Sequence, residues 1–210
     1  MSTHPIDFIA SWLADNNRIC EVQLSRYRYH PQSLSEESIS YAVPVKLLRA
    51  NYERLEKHLC DGEDIAFDSV VKLRGKGATK RHLALLDFQT SDVTRVKRVS
   101  EQLVDEYRVR RAALVNSGRS YHLYMGTVLT HAAWIRFMGR VLLLNARNEP
   151  PTVDTRWIGH RLMGGHAALR WSAKGKPFVP EIIQQLSCKP VDPVRSSDKA
   201  EEPHPRGSLP

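Results

Sequence analysis

Residues 82–89 read His82-Leu83-Ala84-Leu85-Leu86-Asp87-Phe88-Gln89. Four consecutive apolar residues running into an aspartate describe a buried strand that delivers a carboxylate at its C-terminal edge. Ligands bind at such edges, and an acid there can hold Mg²⁺ or Mn²⁺. Upstream, Phe67 to Leu73 reads as a second strand, joined to the first by the basic connection Arg74-Gly75-Lys76-Gly77. Downstream, Ser91 can cap a helix whose apolar positions are Val93, Val96, Val99, Leu103 and Tyr107.

Further out, Ala112 to Asn116 and Tyr121 to Met125 are short strands about a Ser117-Gly118-Arg119-Ser120 turn, hence a hairpin. Period-two alternation puts His122 and Tyr124 on one face of it. Trp134, Ile135, Met138, Val141 and Leu142 mark a helix, and Ala167 to Trp171 a strand before the turn Lys174-Gly175-Lys176-Pro177. Towards the N-terminus, Ile6, Ile9, Trp12 and Leu13 share a helical face. Val45, Leu48, Tyr52, Leu55 and Leu59 follow helical spacing until Asp61-Gly62 stops them. A strand–helix–hairpin core with helices on one face is an α+β sheet domain. The expected division is 1–65, helical and strand elements packing on the core; 66–186, the core; and 187–210, a disordered proline-rich tail.

The chain has 210 residues, 41% of them hydrophobic, with a net charge of +8. That composition excludes a disordered chain, and no apolar run approaches the ~20 residues of a membrane span. The N-terminus shows no secretory pattern. Cys20, Cys60 and Cys188 make neither a disulfide framework nor a zinc knuckle, so the expected compartment is the cytoplasm. Charges cancel in the tail, so the positive excess lies on residues 1–186 and points to a polyanionic partner.

Three places combine an acid or a histidine with positive charge. Asp87 ends the apolar strand. The hairpin turn offers backbone N–H groups, Ser117, Arg119 and Ser120 to an anion, with His122 beside it. Finally, Val153-Asp154 precedes a stretch from Arg156 to Lys176 with five arginines and lysines and no acid, interleaved with glycine and tryptophan. His160 and His166 lack the paired cysteines or HExxH helix of a zinc site.

In this order the elements resemble the archaeo-eukaryotic primase superfamily. Its RRM-like palm carries hydrophobic residues then Asp-x-Asp/Glu, a strand with Ser-x-His, and a hydrophobic-Asp step. Asp87 matches the first acid, His122 the histidine that grips nucleotide phosphate, and Asp154 the last acid. Leu169-Arg170-Trp171-Ser172-Ala173-Lys174-Gly175 is similar to the family's following basic element. The resemblance covers residues 80–180. It implies an RRM-like primase palm with a mixed or antiparallel sheet, and nucleotidyl transfer supported by Mg²⁺ or Mn²⁺ at Asp87 and Asp154. Ser117, Arg119, His122, Arg170 and Lys174 would bind phosphates; the partners would be DNA or RNA and a nucleoside triphosphate. Where the family has its second metal-binding acid, this chain has Gln89, a weaker ligand.

Gln89 opens a second reading, a catalytically inactive primase-like module acting with a helicase, a nuclease, or a defence or replication component. Two other classes fit less well. A PD-(D/E)xK nuclease using Asp68 and Asp87 lacks its lysine, and an RNA-binding RRM lacks its aromatic signature.

Overall fold

In the computed structural model the strand seen in residues 82–89 runs Lys80–Asp87 and lies at the centre of an eight-stranded sheet. The structure describes residues 4–28, 37–75, 80–174 and 178–190. Their order is α1 (Pro5–Asp15), β1 (Ile19–Arg28), β2 (Glu37–Pro44), α2 (Leu48–Lys57), β3 (Glu63–Leu73), β4 (Lys80–Asp87), α3 (Val93–Glu106), β5 (Ala112–Asn116), β6 (Tyr121–Leu129), α4 (His131–Leu142), α5 (Thr155–Gly164), β7 (Ala168–Arg170) and β8 (Glu181–Leu186). A single 3₁₀ turn, Val45–Leu47, leads into α2. The chain is α+β, with an open antiparallel sheet ordered β2-β1-β3-β4-β6-β5-β8 and β7 added on β3.

Local chemistry sets the helix starts. The His4 ring accepts from the Ile6 N–H and Pro5 opens α1, which buries Ile6, Phe8, Ile9, Trp12 and Leu13. Asp92, not Ser91, caps α3: its carboxylate accepts from the N–H groups of Thr94 and Arg95 at 3.0 and 3.2 Å. Thr130 caps α4 and Asp154 caps α5, which Gly165 ends in the left-handed conformation at φ +69°. The spacing that predicts one helix from Val45 gives the 3₁₀ turn and a shorter α2, with Leu59 buried just beyond it. On α4, Trp134, Met138 and Val141 are buried as their spacing predicts, but Ile135 is 46% exposed.

β3 shapes the site by serving two neighbours. Its residues 70–72 pair with β4, while Ala66, Phe67 and Asp68 pair with β7. β3 and β4 thus part towards the Asp87 end, and β7 occupies β3 there. Beneath this region Phe67 stacks on Trp171 at 4.6 Å, and the Trp171 indole N–H donates to the Tyr124 hydroxyl at 3.1 Å. Alternation along β4 turns His82 towards Trp134 of α4, on which it stacks, and Asp87 towards the other face.

The N-terminal elements are part of the same sheet, because β1 pairs with β3 along most of its length. At the other end, Cys188 and Lys189 do not behave as tail: their N–H groups donate to the Val109 carbonyl and to Asp105. The remaining tail, 191–210, lies outside the described residues, as do Lys76-Gly77 and the turn at 175–177. Among the described residues no helix is long and apolar enough to cross a membrane.

Candidate functional site

Asp87 and Asp154 are brought together by a pairing that lies outside the named strands. Phe88 and Val153 form an antiparallel bridge, the Gln89 N–H donates to the Thr152 carbonyl at 3.0 Å, and the Asp154 N–H to the Asp87 carbonyl at 3.2 Å. Both acids line a cavity of about 770 Å³ that reaches across the ends of β4 and β6 to β1. Ser117, Arg119, Ser120, His122 and Arg170 line it too.

Asp87 sits opposite His122 in the β4–β6 register, with His122 Nε2 3.6 Å from Asp87 Oδ1. Burial, and then the charge of Asp154, push the Asp87 carboxyl up to about 8, against the easing charges of Arg161 and Arg170. Burial, and then Arg170, push His122 down to about 3, so its ring is neutral. Asp87 Oδ1 and His122 Nδ1 are both buried without a hydrogen-bond partner. Two polar atoms left in that state carry a cost that a ligand would relieve.

The hairpin turn is held from outside. Arg170 donates to the carbonyls of Ser117 at 2.6 Å, Phe178 at 2.7 Å and Ser172. Gly118 has φ +111°, and an added Cβ would meet Phe178 at 3.1 Å. Of the turn's backbone donors, the Ser117 N–H is taken by the Ser120 carbonyl and the Gly118 N–H by the Asn116 side chain. The turn also brings the Ser117 and Ser120 hydroxyls, 3.3 Å apart, and the exposed Arg119 to the cavity.

Two sequence-predicted residues are not at the site. Gln89 is exposed and outside the cavity, because its backbone ends the strand by pairing with Thr152. Lys174 reaches away, its ammonium donating to the Leu59 carbonyl beyond α2. Conversely, Ser25, Tyr27, Ser38, Ala66 and Phe178 line the cavity without any motif to announce them. Arg156, Trp157, His160, Arg161 and His166 come from the basic stretch and line it from α5 and its C-terminal turn. Asp68 is fully buried behind Ser25, whose hydroxyl donates to it at 2.5 Å, and burial raises its pKa.

The donor set is two carboxylates. Among the described residues no group of three or more His, Cys, Asp or Glu side chains could hold a metal ion. One Mg²⁺ or Mn²⁺ nevertheless fits: Asp87 Oδ1 is an unused oxygen, Asp154 has one oxygen beyond the one that caps α5, and such ions complete their shells with phosphate and water.

An open antiparallel sheet carrying two juxtaposed acids, a histidine and a serine- and arginine-bearing hairpin turn around one cavity is a primase-type palm. A family model described as archaeo-eukaryotic primase 1D-like (AEP-like) matches residues 46–181, and the chain belongs to that family. Comparison with curated proteins and with solved structures returned no match.

Proposed function

We propose that the protein is a nucleotidyltransferase of the primase type, acting on DNA or RNA with a nucleoside triphosphate and one Mg²⁺ or Mn²⁺. The observation that carries this reading is the 87–89/152–154 pairing, which sets Asp87 beside Asp154 in the cavity that the 117–120 hairpin turn also lines. Asp87 and Asp154 would hold the ion, which when bound supplies charge neutralisation and polarisation of the phosphates. Ser117, Ser120 and Arg119 bind the triphosphate, and His122 gives it a neutral N–H donor. Arg170 keeps the turn in place and adds positive charge from behind. Arg156, His160 and Trp157 on α5 suit a nucleic-acid backbone and a stacked base.

The donor set of only two carboxylates supports a second reading, a nucleotide- and nucleic-acid-binding module that serves a partner enzyme such as a helicase or nuclease. With position 89 exposed, Gln89→Asp places its carboxylate outside the cavity and does not rescue a weak metal site. The test is Mn²⁺-supported incorporation of labelled nucleotide on single-stranded and primed templates, with triphosphate binding measured in parallel. Incorporation lost in Asp87→Ala and His122→Ala establishes the transferase. Absent incorporation, with triphosphate binding that still depends on His122 and Arg119, establishes the module instead.

A further inference from the structure

The cavity continues beyond the acids and the 117–120 turn, onto a floor laid by β7, β3 and β1. Register puts the floor residues on one face of the sheet. Ala66 of β3 pairs with Ser25 of β1 on one side and with Arg170 of β7 on the other, and Asp68, two residues along β3, pairs with Ala168. Ser25, Ala66 and Ala168 line the cavity and are all small, so a flat body can lie directly on the strands. Arg170, which donates to the Ser117 carbonyl, joins the floor to the turn. Ser25 lies two strand spacings from β7, about 10 Å.

Ser25 has a fixed polarity. It is buried and donates its hydrogen to Asp68 Oδ2 at 2.5 Å, while Ser40, its partner on β2, lies 3.2 Å from its hydroxyl and 3.5 Å from the same carboxyl oxygen. Asp68 is wholly buried, and its Oδ1 has no hydrogen-bond partner. Keeping a carboxyl group out of water costs stability, and neither the acid pair nor the turn uses this one. Its effect falls on Ser25. A serine hydroxyl has one hydrogen, so with that hydrogen given to Asp68 the oxygen faces the cavity as an acceptor. An acceptor on the floor of a nucleotide cavity selects a ligand O–H, and ribose offers one more than deoxyribose.

Resting on the reading that the triphosphate binds at the 117–120 turn, we infer that this floor is a sugar subsite. Ser25 accepts from the ribose 2′-hydroxyl, Asp68 is its positioning residue, and ribonucleoside triphosphates are the preferred substrates. A sugar without that hydroxyl leaves a buried acceptor unpaired, which a site built for a hydroxyl registers as lost affinity.

Inorganic triphosphate and the four ribo- and four deoxyribonucleoside triphosphates are titrated into the full chain with Mn²⁺ by calorimetry. Each ribonucleotide is expected to bind at least tenfold more tightly than its deoxy counterpart. Ser25→Ala removes that difference by weakening the ribonucleotides alone. Asp68→Asn, whose amide can offer a hydrogen to Ser25, reduces it, whereas a merely structural role for Asp68 would weaken every ligand together. Ala66→Val raises the floor and weakens nucleotides at least tenfold against inorganic triphosphate, and it serves if Ser25→Ala folds poorly. Equal affinity for the two sugars, with triphosphate binding that Arg119→Ala weakens, overturns the inference and leaves the phosphate reading standing. Selection that survives Ser25→Ala, or that follows the base and not the sugar, also overturns it. Binding of neither triphosphate nor nucleotide overturns both.

Discussion

His82 makes acid stability a quantitative test of the core. It is fully buried on β4, stacked on Trp134 at 4.7 Å, with Ser69 Oγ 3.1 Å from Nδ1 and His131 Nδ1 3.1 Å from Nε2. Ser69 Oγ also accepts from the Ala167 N–H, which holds it in place beside the ring. The neutral ring has a hydrogen-bond partner at both nitrogens, and a charged ring in this buried place would lose its hydration. Burial, and then the charge of His131, lower its pKa to about 4, against about 6.5 in the unfolded chain. Between those values the unfolded chain binds more protons, so the contribution is complete above pH 6.5 and is lost as pH falls towards 4. The full shift corresponds to about 3 kcal/mol at 1.36 kcal/mol per unit. By pH 5 about 2 kcal/mol of it is lost, reduced to about 1–2 by solvent screening on the side of the exposed His131. Urea unfolding followed by circular dichroism at pH 8, 7, 6 and 5 measures it against His82→Gln, whose amide can keep both hydrogen bonds without titrating. The wild-type advantage over the variant should shrink by that amount from pH 8 to pH 5. A difference constant within about 0.5 kcal/mol would refute the argument, because His122 and Asp87 titrate equally in both proteins.

Two further outcomes test the packing and the hairpin support. Gly126→Ala puts a Cβ 2.5 Å from Trp12 Nε1 and 2.7 Å from the Arg111 carbonyl, so α1 must shift. Stability should fall by about 1–3 kcal/mol in urea unfolding, and no change would mean that α1 is loosely seated. Arg170→Met leaves the carbonyls of Ser117, Ser172 and Phe178 without their donor, at about 2–4 kcal/mol. Its Tm should drop by about 5–15 °C and its triphosphate affinity more than tenfold; an unchanged Tm would remove the turn-holding role.

The parts of this fold that were legible in the sequence have unbroken periodicity. β4 is a continuous apolar run, β5 and β6 flank a polar turn, the spacing on α1 buries the residues it marks, and that on α3 buries Val96, Val99 and Leu103 while Val93 at its first turn is exposed and Tyr107 at its end is partly buried. β1 was not legible because register shifts near Glu21 and Val22 break its alternation. β8 is a short edge strand with two glutamines, and α5 hides its period behind Gly159 and a run of basic residues. At the site, order along the chain located Asp87, His122 and Asp154. It misplaced Gln89 because a two-residue spacing assumes the strand continues, whereas pairing with Thr152 ends it. Lys174 was misplaced because a motif records sequence distance and not the direction in which a long side chain leaves the backbone. Ser25 and Tyr27 reach the cavity through the β1–β3 pairing, a long-range contact with no local signal, and Ser38 follows by pairing with Tyr27 of β1.

The bridge between Phe88 and Val153 also works as a clasp. It closes a loop of about 65 residues containing α3, β5, β6 and α4, and ordering such a loop costs about 4 kcal/mol in chain entropy. The two acids therefore come from opposite ends of a segment of about 65 residues and meet through a long-range contact. Their proximity thus reports on how that whole segment packs, since neither acid is brought to the other by residues near it in the sequence.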